Sequence, residues 1–269
     1  MANNGEAPVL VFGDDGSQGA DVAWLWVNEQ SWPGWRLEVV AVEPFVGGPV
    51  PSQEEATPHE WTPESPREYF AADAEVVHLT ARADPRAVLG KRDDATLIVV
   101  GPRGRGFFKA LRLGSVAEWL LQCPPAPLLL ARSGRPVKRI LVCIDGSAHA
   151  WLAARTCAAM PFAKGADVVV LTVGSSSVPV PHDVARTVEL FEAAGAESVD
   201  VIEIMPDPLQ LFFNVRDVVL DLAKDREADL IVMGTRGQST WQSLRIGSTA
   251  SAVTRYARAS MLLANAGTN

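Results

Sequence analysis

The chain repeats itself, and that repeat limits its fold more than any other feature. Val9-Leu10-Val11-Phe12-Gly13-Asp14-Asp15-Gly16-Ser17 returns as Ile140-Leu141-Val142-Cys143-Ile144-Asp145-Gly146-Ser147, and Leu97-Ile98-Val99-Val100-Gly101 returns as Leu230-Ile231-Val232-Met233-Gly234. The offsets are 130 residues (Ser17 to Ser147) and 133 residues (Gly101 to Gly234). Nearly equal offsets of this length describe one domain duplicated whole, not a solenoid of short units. The connector Ser133-Gly134-Arg135-Pro136-Val137 is short and turn-forming, which places the domains at 1–134 and 135–269.

Within each copy strand and helix signals alternate. The first predicts strands near 8–13, 36–43, 75–82, 96–101 and 127–131, with helices near 18–30, 85–93 and 115–122. The second predicts strands near 139–144, 167–173, 199–205, 229–234 and 260–264, with helices near 148–160, 182–194, 212–226 and 248–258. Runs such as Asp167-Val168-Val169-Val170-Leu171-Thr172-Val173 are apolar on both faces, as strands of a buried parallel sheet must be. The expected class is therefore α/β: two tandem doubly wound domains with helices on both faces of each sheet. Ser17 and Ser147 stand where a helix N-cap belongs. One stretch breaks the pattern: Glu43 to Asp73 holds six prolines between Pro44 and Pro66 and reads as a surface excursion.

The sharpest motif follows the fourth strand of each copy. Gly101-Pro102-Arg103-Gly104, nine residues, then Gly114-Ser115 is matched by Gly234-Thr235-Arg236-Gly237, nine residues, then Gly247-Ser248. A glycine lets backbone approach an anion without a Cβ in the way. The first N–H groups of the following helix have no internal partner and carry the positive end of the helix dipole. A phosphate placed there is stabilised without a lysine, and Ser115, Ser248, Arg103, Arg112, Arg236 and Arg245 add donors. The first loop also carries Arg105 and Lys109 where the second has Gln238 and Gln242. Two extra cations favour triphosphate at the first site by about 2 kcal/mol and make its binding more salt-sensitive. Trp241 lies inside the second loop. Neither a Walker A loop nor a GxGxxG fingerprint is present.

Composition narrows the partners. With 24 Lys+Arg against 32 Asp+Glu the net charge is −8, which argues against nucleic acid or an acidic membrane as the general partner. No apolar run reaches the roughly 18–20 residues that span a bilayer, and the polar start from Met1 to Ala7 reads as no secretory signal. The expectation is a cytoplasmic protein. Cys123, Cys143 and Cys157 have no metal-ligand spacing, and His59, His78, His149 and His182 are scattered, so no structural metal is expected. His149, on the first turn of a predicted helix, is expected to be exposed.

The Gly-x-x-Gly, nine-residue, Gly-Ser spacing together with Asp-Gly-Ser after the first strand resembles the universal stress protein family, over nearly the whole chain as two tandem domains. The resemblance implies a five-stranded parallel sheet in order 3-2-1-4-5 in each domain, and binding of ATP, with or without Mg²⁺, or of a related adenine nucleotide. It places Asp15 and Asp145 beside the adenosine part, and Val42 and Val173 at the base. Ribose and phosphates would lie against Gly101, Arg103, Gly104, Gly114, Ser115 and Val116 in the first copy, and against Gly234, Arg236, Gly237, Gly247, Ser248 and Thr249 in the second. It further implies an intrachain pseudo-dimer through the fifth strands, and leaves a homodimer of tandem chains open. The site would lie at the switch point between strands one and four, where open α/β sheets bind ligands.

Two residues depart from the family pattern. Asp14 stands where the second copy has Ile144, and a buried carboxylate costs free energy unless partnered. Pro102 stands where the second copy has Thr235, removing a hydroxyl and an N–H. The leading reading is a regulatory, ATP-binding stress-response protein with no catalytic residues and an unidentified signalling partner. Two others compete with it: an interaction scaffold with one or both sites empty, and an enzyme that hydrolyses ATP slowly.

Overall fold

The computed structural model describes residues 7–43, 52–104, 113–174, 181–205, 213–237 and 246–266. The chain divides into two compact units, Met1–Gly134 and Arg135–Asn269. In unit 1 the elements are β1 (Val9–Asp14), α1 (Gln18–Asn28), β2 (Arg36–Glu43), β3 (His59–Glu60), β4 (Glu75–Arg82), α2 (Pro85–Leu89), β5 (Leu97–Val100), α3 (Ser115–Gln122) and β6 (Leu128–Leu130). Unit 2 holds β7 (Arg139–Ile144), α4 (Ala148–Ala158), a 3₁₀ turn (Pro161–Ala163), β8 (Asp167–Val173), α5 (Pro181–Ala193), β9 (Ser198–Ile204), α6 (Val215–Asp225), β10 (Leu230–Gly234), α7 (Ser248–Tyr256) and β11 (Ser260–Ala264).

In unit 1, β1 lies between β2 and β5, β2 pairs β4, and β5 pairs β6, all parallel. In unit 2, β7 lies between β8 and β10, β8 pairs β9, and β10 pairs β11, all parallel. The first strand of each unit is therefore central, with the chain reversing direction across the sheet on either side of it. That reversal opens a crevice at the carboxyl ends of β1 and β5, and of β7 and β10. Central strands are sealed on both faces: Leu10, Val11 and Phe12, Leu97 to Val99, and Leu230 to Val232 are all 0% exposed.

The helices start where the sequence provides a cap. Ser17 Oγ accepts from Ala20 N at 3.2 Å and Ser147 Oγ from Ala150 N at 3.1 Å. Asp84 Oδ1 accepts from Arg86 N at 2.9 Å, with Pro85 at the first helical position, where its missing N–H costs nothing.

The excursion is not loose. His59–Glu60 adds a short antiparallel strand beside β4, and the residues after it are bonded back to the body of unit 1. Trp24 Nε1 donates to Glu68 O at 2.9 Å, Asn28 Nδ2 to the same carbonyl at 3.1 Å, and Phe70 N to Asn28 Oδ1 at 2.9 Å. Tyr69 OH donates to Asp73 Oδ1 at 2.5 Å, and Trp32 N donates to Asp73 Oδ2 at 3.1 Å. Polar and indole groups do here what a run of apolar residues would do elsewhere, which is why a search for hydrophobic periodicity passes over the segment.

Candidate functional site

The loop after the first strand shares its turn and its serine cap between the units, and in unit 1 Gly16 N also donates to Asp14 Oδ1 at 2.9 Å. Gly16 (φ 62°) and Gly146 (φ 80°) take the left-handed turn that lets the chain leave the sheet. Ser17 N donates to Asp15 Oδ1 and Ser147 N to Asp145 Oδ1, each at 3.0 Å, which orients each carboxylate. The serine hydroxyl that caps the helix has a second duty. Ser17 Oγ donates to Arg103 O at 3.3 Å and Ser147 Oγ to Arg236 O at 3.2 Å, tying the first loop to the glycine loop.

The glycines answer to protein neighbours. A Cβ on Gly101 would come within 2.5 Å of Gly19 O, and one on Gly234 within 2.6 Å of Ala150 N, so these two let the fourth strand and first helix approach. A Cβ on Gly104 would run into Asp15 Oδ2, and one on Gly237 would stand 2.6 Å from Asp145 Oδ2. The second glycine thus keeps its loop against the aspartate. Gly114 N donates to Pro102 O and Gly247 N to Thr235 O, both at 2.8 Å, which closes each loop at its base and hands the chain to α3 or α7. The second halves of both loops, with Arg105, Lys109, Arg112, Gln238, Trp241, Gln242 and Arg245, lie outside the described residues.

In unit 1 this assembly encloses a cavity of about 630 Å³, within the range typical of small-molecule sites. Asp15, Val42, Gly101, Arg103, Gly104, Gly114, Ser115 and Val116 all line it. Their counterparts stand in equivalent places in unit 2: Asp145 follows β7, Val173 ends β8, Gly234 ends β10, Arg236 and Gly237 follow it, and Gly247, Ser248 and Thr249 open α7.

Asp14 is not the liability its position suggests. Arg67, from the excursion, donates Nε to Asp14 Oδ2 at 2.8 Å and Nη2 to Asp14 Oδ1 at 2.7 Å, and reaches Asp21 Oδ1 with Nη1 at 2.7 Å. The hydrogen bonds to Asp14, opposed by burial, push the Arg67 guanidinium above its ordinary range. β1 keeps its pairing with β2 through Asp14 opposite Ala41, so the strand is regular to its end. A carboxylate in a strand signals that a cation must reach it, but the spacing of 53 residues to Arg67 hides which one. Arg67 lines the cavity too, with Trp61, His78 and Thr80; none of these four was legible as a site residue.

Pro102 is also clarified. Thr235 N donates to Ala264 O at 2.9 Å, at the end of β11. The N–H that proline lacks is thus spent on the fold in unit 2, and a ligand does not lose a donor through it. His149 is half-buried, not exposed: its Nδ1 accepts from Ala266 N at 2.8 Å, and burial with the nearby Arg236 charge pulls its pKa down. His78 Nε2 accepts from Arg67 N at 3.0 Å, and burial lowers its pKa against the opposing pull of Asp14. The Cys143 thiol is pushed up to about 12 by burial and by Asp145. Among the described residues no group of three His, Cys, Asp or Glu is placed to hold a metal ion, and no helix is long and apolar enough to cross a membrane.

Comparison with known proteins matches this chain to one family. The model of the universal stress protein family matches residues 9–132 and again 136–265. A universal stress protein of Thermus aquaticus, described by its place in the 3′ region of a QAH/OAS sulfhydrylase, is 34% identical over 136 residues, spanning 47% of this chain and 97% of that one. Universal stress protein Rv2623 of Mycobacterium tuberculosis is 27% identical over 188 residues, covering 64% of this chain and 62% of its own length. Among solved structures, a universal stress protein from Archaeoglobus fulgidus covers 96% of this chain and 98% of its own, with a TM-score of 0.67 at 20% identity. A universal stress protein structure from Pseudomonas aeruginosa covers 97% and 94%, with a TM-score of 0.56 at 16% identity. These two share the fold.

Proposed function

This chain belongs to the universal stress protein family, and we propose that it binds adenine nucleotide, ATP foremost, as a regulatory module of a stress response. The observation that carries the proposal is the convergence of Asp15, Val42, Arg103, Gly104, Gly114 and Ser115 on one cavity of about 630 Å³ at the switch point of the unit 1 sheet. The cavity runs from Val39 to Val42 of β2, with Trp61 and Pro63 beside them, to Arg103, Gly104, Gly114 and Ser115 at the glycine loop and the start of α3. A nucleotide likewise has a planar base at one end and an anion at the other. α3 opens at Gly114 with no side-chain cap, which leaves its first N–H groups for an anion. Unit 2 repeats the bonds that shape the glycine-loop end, which supports a second site at Asp145, Arg236, Gly237, Gly247 and Ser248.

The test is calorimetric titration of the full chain with ATP. Gly114 and Gly247 have φ of −77° and −69°, which any residue adopts; a Cβ has ordinary room at Gly247, while at Gly114 it would stand 3.2 Å from Gly104 N, so the loop there must give slightly. Gly114→Glu sets a carboxylate where phosphate would lie and removes one site; Gly247→Glu removes the other. Unchanged stoichiometry in the double variant would sink the proposal.

A further inference from the structure

The two units differ most in what covers the strands beside β1 and β7. In unit 2 that cover is α5, packed on α4, β8 and β9. Between β2 and β4 of unit 1 the described residues contain no helix, and residues 52–73 run as a strap instead. Three attachments fix its course. His59–Glu60 pairs with β4 at the edge of the sheet. Arg67 holds Asp14 at the end of β1, and its own N–H donates to His78 on β4. Glu68 O is held by Trp24 and Asn28 of α1. Residues 61–66 therefore pass from the β4 edge at His78 across β4 and β2 to Asp14 at the end of β1.

A helix with its side chains is about 10–12 Å across, and a single extended strap is much thinner. Where the strap replaces a helix, space remains beneath it, and the cavity extends into that space. Trp61, Pro63 and Ser65 line it from the strap, and His78 and Thr80 line it from one face of β4. Trp61 is 45% exposed, a large indole half in water at the cavity mouth. Because His78 Nε2 accepts from a backbone N–H, the neutral ring carries its proton on Nδ1 as a donor. The compartment thus offers one flat apolar wall and a few polar groups, which is what a planar heteroaromatic ring requires.

We propose that this strap-covered compartment is the base subsite of unit 1. A planar heterocycle packs on Trp61, and His78 and Thr80 read its edge. Arg67 is the positioning residue that fastens the roof. The inference rests on the nucleotide reading for the phosphate end of the same cavity, and the experiment separates the two. Full-length Gly247→Glu protein, in which unit 1 supplies the remaining site, is titrated with ATP, adenosine and inorganic tripolyphosphate.

Trp61→Ala is expected to weaken ATP and adenosine about tenfold, with tripolyphosphate unchanged and most of the affinity kept in Trp61→Phe. Arg67→Ala should match Trp61→Ala, and Asp14→Ile/Arg67→Ala should not recover, because the roof stays unfastened without a carboxylate to hold it. ATP affinity indifferent to Trp61→Ala and Arg67→Ala overturns the compartment and leaves nucleotide binding standing. Adenosine binding that needs Trp61, with ATP indifferent to Gly114→Glu, overturns the phosphate cradle and keeps the compartment. Full recovery in the double variant overturns the role of Arg67, and no binding of any probe overturns both readings.

Discussion

Unit 1 and unit 2 share the described hydrogen bonds that tie the first loop to the glycine loop, while their outer cover differs. The aspartate-to-serine turn closes at 3.0 Å in both, the serine-to-arginine tie spans 3.3 and 3.2 Å, and the glycine-loop base closes at 2.8 Å in both. Over β8 and β9 lies a 13-residue helix; over β2 and β4 lies a strap fastened by polar side chains. The difference follows from what each part must satisfy. Loop geometry is set by directional hydrogen bonds and by gaps that admit only glycine, and a small change breaks it. A covering layer needs only to bury apolar surface, and many segments do that. In unit 1 Asp14 is tolerated because the strap brings the Arg67 guanidinium to it, where unit 2 has the apolar Ile144.

The largest way to break this comparison is Arg67→Met. It takes the guanidinium away from the Asp14 carboxylate, which is 16% exposed and keeps the bond from Gly16 N, and removal of one partner of such a pair costs about 3 kcal/mol. Urea unfolding should show the loss in unit 1, and Asp14→Ile/Arg67→Met, which restores the apolar residue of unit 2, should regain most of it. No loss in the single variant would mean the strap is held without this pair. Gly101→Ala and Gly234→Ala come next, since each Cβ meets backbone of the first helix; about 2 kcal/mol is expected from each. A cost confined to one unit would show that the two helix–strand contacts are not equivalent.

Ser17→Ala and Ser147→Ala remove an N-cap and a loop tie together, for about 1 kcal/mol each by thermal unfolding. A value near zero in either would detach the cap from the stability of that unit. The smallest effect concerns pH. His78 and His149 both have pKa values lowered by burial, so the unfolded chain binds more protons just below the ordinary histidine value. Their contribution is complete above about pH 6.5 and is lost as pH falls below it. Melting temperature should therefore drop between pH 7.5 and 5.5, less so in His78→Gln, where an amide oxygen still accepts from Arg67 N. An identical pH slope in that variant would remove His78 from the account.

The sequence carried the α/β class through buried strands such as Leu97 to Val100, and the helix starts through Ser17 and Ser147. The Gly101, Arg103, Gly104, Gly114 and Ser115 spacing was legible because it belongs to one strand end, one loop and one helix start, all local in the chain, whereas Asp15 and Val42, which line the same cavity, followed only from the family resemblance. The sequence also announced Asp14 as a carboxylate in need of a partner. Only the tertiary structure decided that the partner is Arg67, that Trp61 and His78 reach the same cavity, and that the proline-rich excursion is a fastened strap. The reason is physical. Local periodicity and capping depend on neighbours three or four residues away and can be read along the chain. A guanidinium that crosses two strands to meet a carboxylate 53 residues away obeys only distance and charge in space, and leaves no period in the sequence.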